Sequence, residues 1–311
     1  MDDLTRLRAR VGRTFGNAPA ASAIARVRAI VGPGNMPATF EGALATRAME
    51  KLKDPDADRP TPSELAALEM MIRMMRPAPK YDGGQLEPFA QQEFSNTFSD
   101  WTQFTKLLEP LKAAIGKLQL TQGDPAGTGF LVRDDVLVTN KHVLDFLSRG
   151  TRVLESSQSV VRFHAEFNPI EFENAVPVEE VIKVHETLDI ALLRVNPPKR
   201  QVLTIASAAP GLEDHVAAVG HPFDDPVNNP LFTRTIFGDK WGVKRAAPGE
   251  VVSLSASSVG HDCSTLGGNS GSPLMSLKTA EVVGLHSGGG FLWRNDAVSC
   301  VDLKAFVDTH A

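Results

Sequence analysis

The strongest constraint on the fold is a series of short apolar runs that begins after residue 113. Each run is rich in Val, Ile, Leu or Phe, and Gly, Pro, Asn or Asp residues separate it from the next. No long helical pattern lies between the runs, which favours an antiparallel barrel or sandwich over alternating strands and helices. About twelve such runs would suit two six-stranded barrels, with no internal sequence repeat. The runs are Ile115–Leu120, Gly129–Val132, Val136–Thr139, Val160–Phe167, Val181–Val184, Ile190–Val195, Val216–Gly220, Phe232–Phe237, Val251–Ala256, Pro273–Ser276, Val282–His286 and Ala297–Val301.

The first part of the chain has a different pattern, and we predict a helical domain over residues 1–77. Its apolar residues recur at helical spacing. A helix start is clearest at Thr61, which serves as N-cap, with Pro62 in the first turn and Glu64 three residues after the cap. The apolar positions of the first two predicted helices are Leu4, Leu7, Val11, Phe15, Ile24, Val27, Ile30 and Val31.

Four methionines lie in the last predicted helix of this domain. Met suits adaptable interfaces, so they could form a surface for a protein partner. We favour the alternative, that they fill the core of a small helical bundle. The four are Met70, Met71, Met74 and Met75.

Between the two parts we predict a linker over residues 78–111 that contains a short helix, Trp101–Leu111. Its first half is rich in Pro, Gly, Gln and Asn and has no periodicity. The β-rich domain is then predicted over residues 112–311, with a short helix at Asp302–Thr309. We therefore expect no further peptide-binding domain after this helix.

Composition excludes several classes of function. The chain has 32 Lys and Arg against 37 Asp and Glu, a net charge of −5, so it lacks the basic excess of a nucleic-acid-binding protein. No window is long and apolar enough for a membrane span, and the first residues do not resemble a secretion signal. The two cysteines, Cys263 and Cys300, are too few for a disulfide framework. We therefore expect a cytoplasmic protein with buried free thiols, a disulfide being the lesser alternative.

His142 ends the segment Gly-Thr-Gly-Phe-Leu-Val-Arg-Asp-Asp-Val-Leu-Val-Thr-Asn-Lys-His. Two strands joined at Asp134 and Asp135 would place this histidine at the end of a rigid element. An imidazole titrates near neutral pH, as a general base requires. A single histidine at a strand end is nevertheless more often structural.

Asp189 precedes the apolar run Ile-Ala-Leu-Leu, which has the pattern of a buried strand. A carboxylate at the mouth of such a strand can hold an imidazole in one tautomer and stabilise its cation. Taken alone, Asp189 is more simply a turn residue.

Ser270 lies within Leu-Gly-Gly-Asn-Ser-Gly-Ser-Pro-Leu, residues 266–274. Small neighbours let the backbone bend sharply and let a substrate approach. They also allow the amides of Gly268 and Ser270 to face one space, where an oxyanion can be bound. A merely flexible loop would not be expected to run directly into an apolar strand.

These three segments together resemble the trypsin/chymotrypsin-fold serine peptidases, in particular the bacterial glutamyl endopeptidases and HtrA-type protease domains. The resemblance covers residues 112–311. It implies two β-barrels with a site in the cleft between them. It also implies His142 as general base, Asp189 as its orienting partner, Ser270 as nucleophile, and an oxyanion hole at Gly268 and Ser270.

Departures from the family pattern bear on activation and specificity. Asn269 stands where secreted digestive relatives carry an aspartate that pairs with a new N-terminus, so the first 113 residues are unlike a propeptide of that kind. By the same resemblance, Ser264 takes the place of the aspartate that attracts Arg or Lys. Thr265 and His286 match pocket residues of the glutamyl endopeptidases. An imidazole and a hydroxyl in one pocket suit an acidic or amide side chain.

The sequence thus predicts a serine endopeptidase acting on protein or peptide substrates. We expect a preference for Glu, or another acidic or amide residue, before the cleaved bond, and a helical domain that regulates or recruits the enzyme. The substrate-binding residues would be Ser264, Thr265, His286, Ser287 and Gly288. No metal or cofactor is expected, since the other histidines have no partners at ligand spacing. The alternatives are an inactive binding or scaffold protein on the same fold, or an HtrA-like quality-control protease.

Overall fold

The computed structural model describes residues 3–31, 40–54, 56–88, 97–154, 158–170, 174–196, 199–224, 230–289 and 294–311. They belong to two compact units. The helical unit contains Met1–Pro77, Phe89–Ser99 and Pro226–Asp239, and the barrel unit contains Ala78–Pro88, Asp100–Asp225 and Lys240–Ala311. No helix in these ranges combines the length and the apolarity needed to cross a bilayer.

The helices and strands follow one another in a fixed order along the chain. The helices are α1 (Asp3–Phe15), α2 (Ala20–Val31), α3 (Gly42–Lys53), α4 (Pro62–Met74), α5 (Trp101–Leu111), α6 (Lys141–Leu147), α7 (Pro230–Phe237) and α8 (Cys300–His310). The strands are β1 (Tyr81–Asp82), β2 (Gln85–Leu86), β3 (Ile115–Leu120), β4 (Pro125–Arg133), β5 (Val136–Thr139), β6 (Ser159–Arg162), β7 (Val176–Val184), β8 (Ala191–Val195), β9 (His215–Gly220), β10 (Arg245–Leu254), β11 (Ser258–His261), β12 (Pro273–Ser276), β13 (Val282–Gly289) and β14 (Asn295–Ser299).

In the helical unit, α4 begins with the predicted capping box. The hydroxyl of Thr61 accepts a hydrogen bond from the Glu64 amide at 3.3 Å. The Glu64 carboxylate accepts one from the Thr61 amide at 2.8 Å, and one from Lys51 on α3 at 3.0 Å. The cap therefore fixes both the start of α4 and its position against α3.

The core of the helical unit combines apolar and charged side chains. Met71, Met74 and Met75 are buried, as expected for the core of a bundle, whereas Met70 is half-buried. Beside them, Arg10 on α1 makes two hydrogen bonds of 2.7 and 2.9 Å to Glu69 on α4, and Arg73 lies 3.3 Å from the same carboxylate. Paired in this way, the buried charges are compensated.

The strand predicted at Phe232–Phe237 is wrong, because this stretch forms part of α7 in the helical unit. Thr233, Ile236 and Phe237 are buried there. Their spacing of three and four residues matches one face of a helix. Thr233, Ile236 and Phe237 thus form a packing face, and tertiary contacts outweigh local propensity.

The barrel unit contains two closed six-stranded antiparallel barrels, as predicted. The first joins its strands in the order β3-β4-β5-β8-β7-β6, and the second in the order β10-β11-β14-β13-β12-β9. Closure leaves neither barrel with an unpaired strand edge. Each barrel has the predicted number of strands. The second barrel lacks the wrongly predicted strand but contains β11, which has no apolar run and was not predicted.

The segment before α5 also forms structure that the sequence did not reveal. β1 and β2 pair as a short hairpin. The segment is attached to β10 and the residue before it. The Tyr81 amide donates to Lys244 O at 2.9 Å, and the Ala246 amide on β10 donates to Pro79 O at 3.1 Å. These contacts make residues 78–88 part of the barrel unit.

Both cysteines are reduced and buried, in agreement with the free thiols expected from the sequence. The sulfur of Cys263 lies 3.9 Å from Val216 O, and that of Cys300 lies 3.3 Å from Ala208 O. Burial raises the pKa of the Cys300 thiol. Both effects lower reactivity, because the thiolate is the reactive form and a buried sulfur is inaccessible.

We expect the native protein to react slowly with an aromatic disulfide reagent and to titrate as two thiols per chain after denaturation without reductant. Absorbance of the released aromatic thiolate measures both stages. A denatured protein that released none would contain a disulfide and contradict the structure.

A second prediction concerns Glu64. Its pKa falls from 4.5 to about 2, because its carboxylate accepts hydrogen bonds from the Thr61 backbone amide and from the Lys51 side chain. A carboxylate with a lowered pKa in the folded state stabilises that state above its ordinary pKa and ceases to do so as the pH falls through the folded value. We expect Glu64→Gln to be less stable than wild type near neutral pH, with a difference that shrinks between about pH 4.5 and 2.

Urea unfolding followed by circular dichroism across this pH range measures the difference. Glu50→Gln, which removes an exposed carboxylate from α3, is the control and should follow the wild-type pH dependence. A gap between Glu64→Gln and wild type that did not change with pH would contradict the prediction.

Candidate active site

Two paired strand ends bring His142 and Asp189 together. The last residue of β5, Thr139, pairs with the first residue of β8, Ala191. His142 follows β5 and Asp189 precedes β8, so both lie at the same end of the sheet. His142 Nδ1 is 2.7 Å from Asp189 Oδ2, and the His142 amide donates to Oδ1 at 3.1 Å.

The residues just before His142 hold the Asp189 segment in place. The side-chain amide of Asn140, which is buried, donates to Asp189 O at 2.9 Å. The ammonium group of Lys141 lies 3.3 Å from Glu186 O, in the turn before Asp189. These contacts fix the carboxylate relative to the imidazole.

The charge of Asp189 determines which ring nitrogen of a neutral His142 carries the proton. Burial acts to raise the pKa of Asp189, but the hydrogen bond and charge of the His142 side chain, with the amides of His142 and Lys141, outweigh it and lower the pKa. An ionised carboxylate only accepts hydrogen bonds. The Nδ1 atom of a neutral His142 therefore carries the proton, and its Nε2 has a free lone pair.

The loop at residues 266–272, which connects β11 to β12, presents the amide of Gly268. Gly267 O accepts a hydrogen bond from the Phe223 amide at 2.8 Å. In a trans peptide the C=O and N–H point in opposite directions, so this bond directs the Gly268 N–H away from Phe223. Gly268 has a φ of +89°, and a Cβ there would lie 2.4 Å from His221 O. Only glycine fits this position without strain.

A hydrogen bond to the preceding carbonyl also orients the amide of Ser270. Asn269 O accepts from the Ser272 amide at 2.8 Å, which directs the Ser270 N–H to the opposite side of that peptide. In the part of the chain that the structure describes, neither the Gly268 nor the Ser270 amide donates to a backbone carbonyl. Two such donors on one tight loop are available to bind a negatively charged oxygen.

The backbone of Ser270 contacts β4, a strand of the first barrel. The Thr128 amide on β4 donates to Ser270 O at 2.8 Å. A Cβ on the neighbouring Gly127 would lie 2.8 Å from Ser270 O and 2.8 Å from the side chain of Val143, the residue after His142. The serine backbone and helix α6 therefore flank a single glycine of the first barrel.

The predicted pocket residues come from two segments of the second barrel. Ser264 and Thr265 precede the loop and are buried, and His286 on β13 is 3% exposed. The His286 amide donates to Ser272 O, and His286 O accepts from the Gly271 amide, both at 2.9 Å. His286 is thus attached directly to the loop that carries Ser270.

The next two residues of β13 differ in role. Ser287 is half-buried, and its hydroxyl donates to Asp296 O at 3.1 Å on β14. A Cβ on Gly288 would meet no atom within 4 Å. The space beside the Gly288 backbone is therefore open.

His261, for which we predicted no role, lies beside His286 in the structure. His261 Nε2 is 3.1 Å from His286 Nδ1, and the two rings meet edge to face. Burial, with the charge of His142, lowers the pKa of His286 to about 3, so this imidazole is neutral near pH 7. The pairing depends on β11, which lacks an apolar run, so the sequence held no signal for it.

Chemically, the arrangement offers a hydroxyl, a base with an oriented tautomer, and two amides for an oxyanion. In the described ranges, no group of three or more His, Cys, Asp or Glu side chains is placed to hold a metal ion. These are the components of nucleophilic acyl transfer.

The chain is similar to known peptidases. The family model of the trypsin-like peptidase domain matches residues 127–285, which include all three predicted catalytic residues. The glutamyl endopeptidase of Staphylococcus aureus strain MW2 is 28% identical over 224 residues, covering 67% of this chain and 62% of that protein. The glutamyl endopeptidase of strain MRSA252 is also 28% identical over 224 residues, and the match covers 67% of this chain and 56% of that protein. The chain thus spans about three fifths of the length of these relatives.

Among solved structures, the serine endoprotease from Yersinia pestis is similar in part. Its sequence is 17% identical, the TM-score is 0.49, and the match covers 66% of this chain and 65% of that one.

Proposed function

The chain belongs to the trypsin-like peptidase family, and on this premise we propose that it is a serine endopeptidase. His142 is the general base, Asp189 orients it, and Ser270 is the nucleophile. The substrates are proteins or peptides. The observation that carries the proposal is the 2.7 Å contact between His142 Nδ1 and Asp189 Oδ2, because it leaves Nε2 as the nitrogen that accepts a proton.

Acylation begins when Ser270 Oγ attacks the carbonyl carbon of the substrate. Its proton passes to Nε2 of His142, and Asp189 stabilises the resulting imidazolium. The negative charge that develops on the carbonyl oxygen is bound by the amides of Gly268 and Ser270. The C–N bond then breaks, the imidazolium gives its proton to the leaving amine, and an ester to Ser270 remains.

Deacylation repeats these steps with water as the nucleophile. His142 takes a proton from the water as its oxygen attacks the ester, and the same two amides bind the oxyanion. The ester bond to Ser270 breaks, the proton returns to Ser270 Oγ, and the carboxylic acid product leaves. The imidazole ends as it began, neutral and with Nδ1–H toward Asp189.

We expect Ser270→Ala to abolish labelling by a fluorophosphonate probe and the hydrolysis of p-nitrophenyl esters. Asp189→Asn should lower kcat by roughly 10³- to 10⁴-fold, since an amide no longer favours the Nδ1–H tautomer. Gel fluorescence and ester kinetics measure the two effects. Ser255→Ala, on an exposed turn of the second barrel, is the control and should keep wild-type activity. Labelling that persisted in Ser270→Ala would point to another nucleophile and contradict the proposal.

We also propose that the enzyme prefers Glu before the cleaved bond. Two observations support this: the relatives that carry the name glutamyl endopeptidase, and the buried imidazole of His286 attached to the loop of Ser270. The hydrogen bond to His261 fixes the ring of His286. A carboxylate that binds beside a neutral imidazole raises the pKa of the imidazole and favours a charged pair, and the hydroxyl of Thr265 is a further donor.

Matched peptides that differ only in Glu, Gln, Phe or Lys at this position test the preference. We expect the highest kcat/KM with Glu, and we expect His286→Leu to lower it by roughly 10-fold or more while the Phe peptide changes much less, because only the carboxylate loses a partner. Equal cleavage of the Glu, Phe and Lys peptides by the wild-type protein would refute the preference but leave the peptidase proposal intact.

For the helical unit we propose a regulatory or recruiting role, and for the protein a cytoplasmic location. The unit has its own buried ion pairs between α1 and α4 and contains none of the three catalytic residues, which supports a separate task. The two reduced cysteines fit a reducing compartment.

A further inference from the structure

Thr128, on β4 of the first barrel, makes an unusual set of contacts with the loop of the second barrel. Its amide donates to Ser270 O at 2.8 Å, and its side-chain hydroxyl donates to Gly268 O, also at 2.8 Å. The residue is fully buried. The Thr128 side chain of the first barrel is therefore hydrogen-bonded to Gly268, whose amide is one of the two proposed oxyanion donors.

The direction of the hydroxyl hydrogen follows from its neighbours. The His221 amide donates to Thr128 Oγ1 at 3.1 Å, so one lone pair of the hydroxyl is occupied. Gly268 O can only accept, and it lies closer to the hydroxyl than His221 Nδ1, which is 3.4 Å away. The single hydroxyl hydrogen of Thr128 therefore points to Gly268 O.

This bond acts on the peptide between the two oxyanion donors. The Gly268–Asn269 peptide has its carbonyl held by Thr128 and its N–H held by Leu266 O at 3.1 Å. On either side of it lie the peptides that carry the Gly268 and Ser270 amides. Gly268 is free to adopt many backbone conformations, since it lacks a Cβ. Without the hydroxyl, the carbonyl of the Gly268–Asn269 peptide loses its hydrogen bond to β4.

We infer that Thr128 is a positioning residue for the oxyanion hole, and that its hydroxyl holds the Gly268–Asn269 peptide so that both amides face the developing oxyanion. The inference rests on the proposed function and adds a residue of the first barrel to it. Because the oxyanion forms only in the transition state, loss of the hydroxyl should slow acylation with little effect on the binding of the intact substrate.

The test compares Thr128→Val, which keeps the shape and the backbone hydrogen bond, with Thr128→Ser, which keeps the hydroxyl. The matched control is Ser148→Ala. Ser148 is also buried, donates to Leu144 O at 2.7 Å and accepts from the Arg152 amide at 3.0 Å, so its loss removes the same number of hydrogen bonds away from the loop.

Acylation by p-nitrophenyl acetate and by a fluorophosphonate probe is followed at increasing concentration, which separates the maximal rate from half-saturation. We expect Thr128→Val to lower the maximal rate roughly 10- to 100-fold with half-saturation within about 3-fold, because displacement of an oxyanion donor acts on the transition state. Thr128→Ser should recover the rate to within about 3-fold, and Ser148→Ala should match wild type, on the same reasoning.

Thermal unfolding of each variant separates stability from positioning. A Thr128→Val protein that is folded at the assay temperature and acylates like Ser148→Ala would overturn the inference. If Thr128→Val does not fold, Thr128→Ala, which removes the hydroxyl and adds no new group, is held to the same 10-fold criterion. A wild-type protein that neither probe acylates would overturn the proposed function and this inference with it.

Discussion

The hydrogen bond between the Thr128 amide and Ser270 O joins the two barrels at the point where the site forms. Its length of 2.8 Å requires the backbones of β4 and the 266–272 loop to be in direct contact. Only a residue without a side chain fits at Gly127, because a Cβ would press on both Ser270 and the helix that carries His142. The geometry of the site therefore depends on this close approach.

Within each barrel, the register of paired strands sets the remaining positions. The last residue of β5 pairs with the first residue of β8, which places His142 and Asp189 within hydrogen-bond distance. In the second barrel, the pairing of β12 with β13 continues into the loop, so His286 is held beside residues 271 and 272. Rigid strands thus supply the precision, and the connecting segments supply the reactive groups.

The sequence predicted the elements whose signals are local. The capping box at Thr61 and Glu64 follows from a short pattern, since its bonds join residues three apart. The wrongly predicted strand at Phe232–Phe237 and the missed strand β11 show the limit of local signals. In both, the conformation is decided by what the segment packs against: the helical unit in one, and strands β10 and β14 in the other.

Strand patterns and small-residue motifs occupy consecutive positions, so they predicted the two-barrel fold and the candidate residues His142, Asp189 and Ser270. The contact of His261 with His286 and the hydrogen bond from Thr128 to Gly268 O became visible only in the folded chain. These partners are 25 and 140 residues apart. A contact across such distances depends on barrel closure and register, which no short stretch of sequence contains.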